Sequence, residues 1–503
     1  MRHEGIYTFV RKARAEVTGE GPAVSGDSGQ ALREELLARM NDPYWDVRSS
    51  AAVALGKLNC GDPAVRLRLV AALRDRHPDV RESAALGLGM IRAVEASGEL
   101  AAILKDKLQA ARLRAFAAVA LGLQGDPAVL PALLAALDSP DTKDAVKAGV
   151  ILGIGLLGDE RGAQALLAVV LGNEEEELQA LALAALAKIG AVEVGSARRG
   201  AGKTDVVRLL ETRLRDKDAR TQVRRSAALA LGAIGRAETS ADVLEKAIRF
   251  DRDKGVRAFA LVGLARLAAR LPEGDGAAAA ARNFLRRAAC DESDDRVKGF
   301  AVLAVGLSRD EKAGGLVLGM FNGSEAADVR AAAAVALGLL KHRDAIPDLS
   351  REIREPRDGG DARGFACVAL GMIGDPCAVD FLRAVLREAG HPYLIGAAAT
   401  GLALLGDRGA LPLILKRIEE RDEVVREAAV RSLQFFRDDS TAAPLLDMVR
   451  REKSEPIRAM MVVSLGAIAD ASEEMPVLRR IGRDVNWVAA KNLPAIALLL
   501  RMF

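Results

Sequence analysis

The sequence predicts an all-α chain folded as a right-handed α-solenoid, a superhelix of about 13–14 helix pairs. Three observations carry that expectation. One short pattern recurs at near-constant spacing along most of the 503 residues. Half of the residues are apolar yet only 3% are aromatic, so alanine, leucine and valine supply the core. Cap and turn residues fall at fixed places between the apolar runs.

The pattern is an apolar residue, a basic residue, two variable residues, then Ala-Ala-x-Ala-Leu-Gly. It starts at Val47, Val80, Leu113 and Val146, more loosely at Leu178, and again at Val223, Val256, Val297, Val329 and Ala362. Weaker copies start at Leu394, Val425 and Ile457, with a degenerate one near Val488. Small residues at helical spacing suit close-packed helices, whereas strands favour β-branched and aromatic residues. Each repeat reads as two helices, A and B, with the pattern on helix B.

The cap signals fix the boundaries. An Asp precedes several B helices, as at Asp46, Asp79 and Asp328, where a carboxylate accepts from free N–H groups and opposes the helix dipole. Helix B is expected to end at the pattern glycine, as at Gly56, Gly122 and Gly232. Gly-Asp-Pro follows at Gly61, Gly125 and Gly374, a start signal for the next helix A. The basic residue of the pattern recurs as Arg48, Arg81, Arg114, Arg224, Arg257 and Arg330. With the Asp before the helix it is expected to form a structural ladder of ion pairs.

Two repeat steps are long, and each excess coincides with a Gly-containing insertion, at residues 191–204 and 271–279. Both are expected as loops from one edge of the solenoid. The solenoid is expected over residues 30–503, with residues 1–29 as an N-terminal cap helix and a Gly/Ser-rich linker.

These residues resemble the HEAT-repeat superfamily, most closely the short HEAT-like repeats of the phycobilisome-lyase type. The resemblance implies the solenoid fold. For function it implies only a range: scaffolds, assembly factors, chromophore-lyase subunits and a few enzymes.

Composition narrows that range. The net charge of +3, with 72 basic and 69 acidic residues, gives no long-range attraction to nucleic acid or anionic lipid. No run reaches the roughly 18 apolar residues of a membrane span, and the first residues lack the apolar core of a secretion signal. Cys60, Cys290, Cys367 and Cys377 form no CxxC pair. A cytoplasmic chain with free thiols and no membrane contact is expected.

No catalytic, metal or cofactor site is expected. His3, His77, His342 and His391 fall in separate repeats, and a metal needs several converging ligands. The several His-Glu pairs of HEAT-like iron hydroxylases reduce here to His3-Glu4. Cys60 and His77 flank one helix and lie too far apart for a dyad. The stretch Ala197 to Thr204, ARRGAGKT, fits a loose P-loop but follows a helix, where a phosphate loop needs a preceding strand. A basic groove for nucleic acid would need Arg and Lys where the outward positions of helix B are Ala, Gly, Val or Leu.

What remains is a non-catalytic scaffold or adaptor for a protein or peptide partner. The alternatives are a lyase-like or chaperone-like subunit acting on a cofactor-bearing protein, and a nucleic-acid-binding HEAT-like protein. The outward B positions, such as Ala115, Val119 and Gly122 or Ala331, Val335 and Gly338, are small and apolar. They form either a crowded core or a groove flanked by Phe116, Phe259, Phe300 and Phe365. The last residues, 492–503, are apolar enough to act as a sealing cap or a self-association surface.

Overall fold

Twenty-six α-helices, paired as thirteen, account for most of the described chain. The structure, a computed structural model, describes residues 26–58, 61–190, 193–194, 204–272, 274–357, 361–433, 435–436 and 439–468. Odd numbers denote A helices and even numbers B helices. The first pairs are α1 (Gly26–Arg39) with α2 (Trp45–Leu58), α3 (Pro63–Ala72) with α4 (Pro78–Met90), and α5 (Ser97–Lys105) with α6 (Ala111–Gln124). Then come α7 (Leu130–Asp138) with α8 (Asp144–Leu157), α9 (Ala163–Leu171) with α10 (Glu176–Ile189), and α11 (Val206–Arg215) with α12 (Thr221–Ile234). There follow α13 (Ala237–Phe250) with α14 (Lys254–Arg270), α15 (Gly276–Asp291) with α16 (Asp295–Leu307), and α17 (Gly314–Gly323) with α18 (Ala327–Leu339). The last are α19 (Ile346–Arg354) with α20 (Asp361–Ile373), α21 (Ala378–Glu388) with α22 (Pro392–Leu404), α23 (Leu411–Ile418) with α24 (Glu423–Leu433), and α25 (Asp439–Arg451) with α26 (Glu455–Ile468).

The chain divides into two compact units. Of the described residues, one unit holds those within 26–213, 218–227 and 439–468, and the other those within 214–217 and 228–436. In the first unit α2, α4, α6, α8 and α10 pack side by side, and α26 packs against the opposite side of that row, on α2. In the second unit α14, α16, α18, α20, α22 and α24 pack in the same way. In twelve of the thirteen pairs, all but α11 with α12, the A helix packs against its own B helix.

Glycine explains how closely the B helices approach. A Cβ on Gly56 would lie 2.8 Å from the Cα of Gly87, and one on Gly89 would lie 2.7 Å from the Cα of Ala120. A Cβ on Gly122 would collide with the backbone of Gly153. The pattern glycine is therefore a contact residue rather than a helix terminus. α2 runs on to Leu58, α6 to Gln124 and α12 to Ile234, past the glycines expected to end them. The exit turn uses the next glycine instead, as at Gly125 and Gly158 with φ of 73° and 72°.

Such contact buries the face read as either core or groove. Ala115, Val119, Gly122, Ala331, Val335 and Gly338 are all buried, and so are Leu152 and Gly155. Ala148 and Leu303 are half-buried. Crowding of the B helices therefore accounts for most of this face.

The basic pattern residue does two things. It caps the carbonyl end of its own helix A: Arg81 donates to Asp75 O at 2.9 Å, Arg114 to Leu104 O at 2.9 Å and Arg363 to Ile353 O at 2.8 Å. It also reaches an acid in the next repeat. Arg48 makes two 2.9 Å bonds to Asp75, Lys147 lies 2.8 Å from Glu174, and Arg257 lies 3.4 Å from Glu292. The ladder exists, but its acids come from the next repeat and not from the residue before helix B. Asp46, Asp79 and Asp328 sit instead within the first turn of their helices. The Gly-Asp-Pro signals work as expected, with Asp62 accepting from Ala64 N at 2.7 Å and Asp126 from Ala128 N at 2.9 Å.

Neither long step is a bare loop. The first has a stem of β1 (Glu193–Val194) and β2 (Thr204–Asp205), paired antiparallel. This is a hairpin closing on itself and not the parallel strand of a phosphate loop. Most of the Ala197–Thr204 motif lies outside the described residues. The second step is taken up by longer helices: α14 has 17 residues and α15 has 16. Residues 276–279 are the start of α15, because Asp275 caps Ala277 N and Ala278 N and an alanine run propagates helix well. α1 likewise begins at Gly26, inside the expected linker, while residues 1–25 and the terminal stretch 492–503 lie outside the described residues.

A pair of substitutions separates contact glycines from the rest. Gly122→Val should destabilise the chain by about 2 kcal/mol or more, because rigid backbone meets the new side chain. Gly98→Ala in α5, with nothing within 4 Å of the new atom, should be neutral or stabilising by up to about 1 kcal/mol. Thermal melts of both would check this.

Candidate partner-binding edge

In a chain this poor in aromatics, exposed rings are informative. Tyr44 is 44% exposed and Trp45 is 37% exposed, side by side in the corner between α1 and α2. The corner is built locally. Asp42 accepts from Tyr44 N at 3.1 Å, which turns the chain out of α1. Pro43 then breaks the helix and Trp45 starts α2.

Neighbouring repeats hold both rings. The Trp45 ring stacks on His77 with centroids 4.1 Å apart and planes 14° apart. His77 comes from the equivalent corner of the second repeat. The guanidinium of Arg458, from α26, lies 5.3 Å from the Tyr44 ring centroid. The same Arg458 lies 3.5 Å from Asp42.

Charged groups surround the rings. His77 Nδ1 lies 3.5 Å from Asp79, Arg112 lies 3.3 Å from Asp79, and Arg112 lies 2.9 Å from Glu82. Glu82 is only 3% exposed. Burial pushes its carboxyl up to about 7; Arg112 pulls against that and Asp79 adds to it. Burial and the nearby Glu455 raise Asp46 to about 6, against the pull of Val47 N–H. For Asp75, burial is outweighed by Arg48 and the His77 N–H, which hold it below the usual carboxylate range.

Chemically this is an aromatic surface with a polar rim. Among the described residues no group of three or more His, Cys, Asp or Glu is placed to hold a metal ion. Cys367 is buried, and burial lifts its thiol to about 12, so it is no nucleophile. Cys377 is exposed, with its pKa raised mainly by its bond to Asp375. Cys60 and His3 lie outside the described residues.

The phenylalanines expected to flank a groove divide. Phe116 and Phe365 are buried, and the Arg112 guanidinium lies 5.9 Å from the Phe116 ring. Phe259 and Phe300 are half-buried. Position 4 of the pattern lies beside the packed B face, so two of the four rings join the core. In the sequence His77 stands out only as a metal ligand or a partner of Cys60, and nothing there joins it to Tyr44 and Trp45, although Tyr44-Trp45 is a rare adjacent aromatic pair in a chain with two Trp and three Tyr.

Known proteins resemble the chain as follows. A family model described as HEAT repeats matches residues 33–112, 99–187, 315–392 and 379–466, more than half of the chain. Deoxyhypusine hydroxylase of Eremothecium gossypii is 37% identical over 68 residues, 13% of this chain and 21% of that protein. The chain thus matches about a fifth of the length of that relative. Among solved structures, the complex of CpcE and CpcF of phycocyanin lyase from Nostoc sp. PCC7120 is similar at 21% identity and a TM-score of 0.34. That similarity covers 53% of this chain and 96% of the other. Kap121p bound to Nup53p is similar at 13% identity and a TM-score of 0.40, covering 91% of this chain and 55% of the other.

The raised carboxyl of Glu82 gives a pH prediction. Its folded pKa, about 7, lies above the ordinary 4.5, so its contribution to stability is present below pH 4.5 and is lost as pH rises through 7. The melting temperature of the wild type should fall more between pH 5 and pH 8 than that of Glu82→Gln. The difference should be on the order of 1–3 kcal/mol. Parallel melts of the two proteins across that range check the sign.

Proposed function

We propose, for a chain that belongs to the HEAT-repeat family, that it works as a non-catalytic scaffold and binds a protein partner through the corner of Tyr44 and Trp45. The observation that carries this is the exposure of the two rings together, held from both sides and rimmed by charge. Interface hot spots have this composition: rigid aromatic anchors, enriched Arg and a polar surround. A ring already fixed by stacking loses little freedom on binding, so more of its contact energy survives.

The fold supports the same reading. A solenoid repeats one supporting unit and offers long surfaces without a closed catalytic cleft. The raised carboxyls at the edge are explained by burial and by a neighbouring carboxylate, Glu455 for Asp46 and Asp79 for Glu82, without appeal to chemistry on a substrate. No described helix is long and apolar enough to cross a membrane.

The test is affinity purification of the tagged chain from its native cell, with cross-linking to map the contact. Three proteins are compared: the wild type, the double variant Tyr44→Ser with Trp45→Ser, and Leu108→Ser. Leu108 is 95% exposed and lies elsewhere, in the corner between α5 and α6. A partner recovered near one-to-one by wild type and Leu108→Ser, cross-linked near residues 42–48 and lost from a folded double variant, supports the proposal. The expected loss is at least about thirtyfold in affinity, the scale of an aromatic hot spot. A partner retained in full by the double variant overturns it.

A further inference from the structure

The thirteenth repeat takes its packing from the first. Among the described residues α26 packs more extensively on α2 than on α25, its own A helix. Residues 439–468 belong to the same compact unit as α1 and α2, whereas α24 belongs to the other. The contact copies the joins further along its own unit. A Cβ on Gly466 of α26 would lie 2.5 Å from the Cα of Ala54 in α2, as one on Gly56 would lie 2.8 Å from the Cα of Gly87 in α4. Residues 459–468 of α26 are all buried, among them Met460, Met461, Val463 and Leu465.

Charge gives the contact a direction. The side offered by the first repeat carries acids. Glu35 of α1 accepts from Arg450 of α25 at 2.7 Å, and Asp42 lies 3.5 Å from Arg458 of α26. The side offered by the thirteenth repeat carries the two arginines. Two first-repeat faces brought together would set acid against acid, and two thirteenth-repeat faces would set arginine against arginine. Each face therefore fits the other and not itself, which makes the contact heterologous.

Opening the contact uncovers the apolar side of α26 and the facing side of α2 together. Burial of that surface again is the main term favouring a return. The face that fits α26 is the α2 face, and every copy of the chain carries one. A second copy supplies the same glycine contact and the same ion pairs. The contact energies of the two arrangements then cancel, and the entropy of association alone separates them.

We propose that the α25–α26 pair exchanges between two copies of this chain, each pair seated on α1 and α2 of the other copy. Reciprocal exchange makes as many joins as two closed chains make and leaves no face uncovered. Two copies are the smallest assembly that does so, and hence the one that loses least freedom. The Arg458 guanidinium, 5.3 Å from the Tyr44 ring centroid in the closed chain, then comes from the second copy, so either arrangement completes that corner. The exchange needs no other partner and stands apart from the proposed function.

Energy transfer between two labelled populations of the full chain tests the exchange. One carries a donor dye at Ala38→Cys on α1 and the other an acceptor at Ala443→Cys on α25, both exposed sites, with Cys60, Cys290 and Cys377 replaced by serine. A chain labelled at both sites gives the full signal of the closed form. With an effective concentration for closure on the order of 1 mM, about a tenth of the chains should exchange at about 0.1 mM and about a hundredfold fewer at about 1 µM. The transferring species should sediment at twice the chain mass. Gly466→Leu in both populations sets a side chain against the backbone of Ala54 and should abolish the transfer. Glu35→Lys in the donor population with Arg450→Glu in the acceptor mispairs each closed chain and pairs correctly only across chains. Transfer should then rise about fivefold or more over wild type at about 1 µM. This second pair of variants still reads if Gly466→Leu fails to fold. Absence of transfer between wild-type populations at the higher concentration overturns the proposal. So does transfer that survives Gly466→Leu in a folded chain, or a transferring species larger than two copies.

Discussion

Backbone-to-backbone contact between successive B helices is the constraint on which the rest depends. Helices packed through ordinary side chains sit about 8–10 Å apart, and only missing or single-carbon side chains bring them closer. Gly56, Gly89 and Gly122 leave that space, and Ala54, Ala120 and Gly153 face them or their equivalents across it. This requirement explains the composition. The faces on which the inner helices touch this closely have no room for aromatic residues. Larger side chains sit beside that face, as Phe116 and Phe365 do, or at the corners, as Tyr44 and Trp45 do.

Close packing leaves the helix ends to be satisfied, and the recurring basic residue does this. Placed one turn into helix B, it reaches the open carbonyls of helix A and an acid one repeat further on. Hydrogen bonds from a charged donor at such buried ends contribute about 1.5–3 kcal/mol each. One side chain thereby fixes both the angle within a repeat and the register to the next. The join of the thirteenth repeat to the first uses the same two devices, glycine contact and arginine reach.

The fold was legible in the sequence because the constraint is local and repeats. A pattern demanded by every B helix is read again at each copy, and the Gly-Asp-Pro starts sharpen its edges. The misreadings were also local. Gly122 looked like a helix end because glycine serves both ends and close contacts, and only the neighbouring helix tells them apart. The glycines of residues 271–279 suggested a loop, while Asp275 and the alanines after it form a helix start. The candidate site was far less legible. Trp45 and His77 come from different repeats, and Arg458 lies more than 400 positions from Tyr44. No spacing rule brings them together, because the meeting of the first and thirteenth repeats is a property of the folded chain. The phenylalanines at position 4 were visible as a pattern, but burial claims Phe116 and Phe365 for the core.

The meeting of the first and thirteenth repeats can be measured directly. Spin labels at Ala38→Cys on α1 and Ala443→Cys on α25, both exposed, would report it in a chain whose Cys60, Cys290 and Cys377 are replaced by serine. Pulsed dipolar spectroscopy should give one short, narrow distance, as for adjacent helices about 10 Å apart plus the reach of two labels. A broad distribution centred several helix spacings away would show that the two repeats are not neighbours in solution, and would contradict the account.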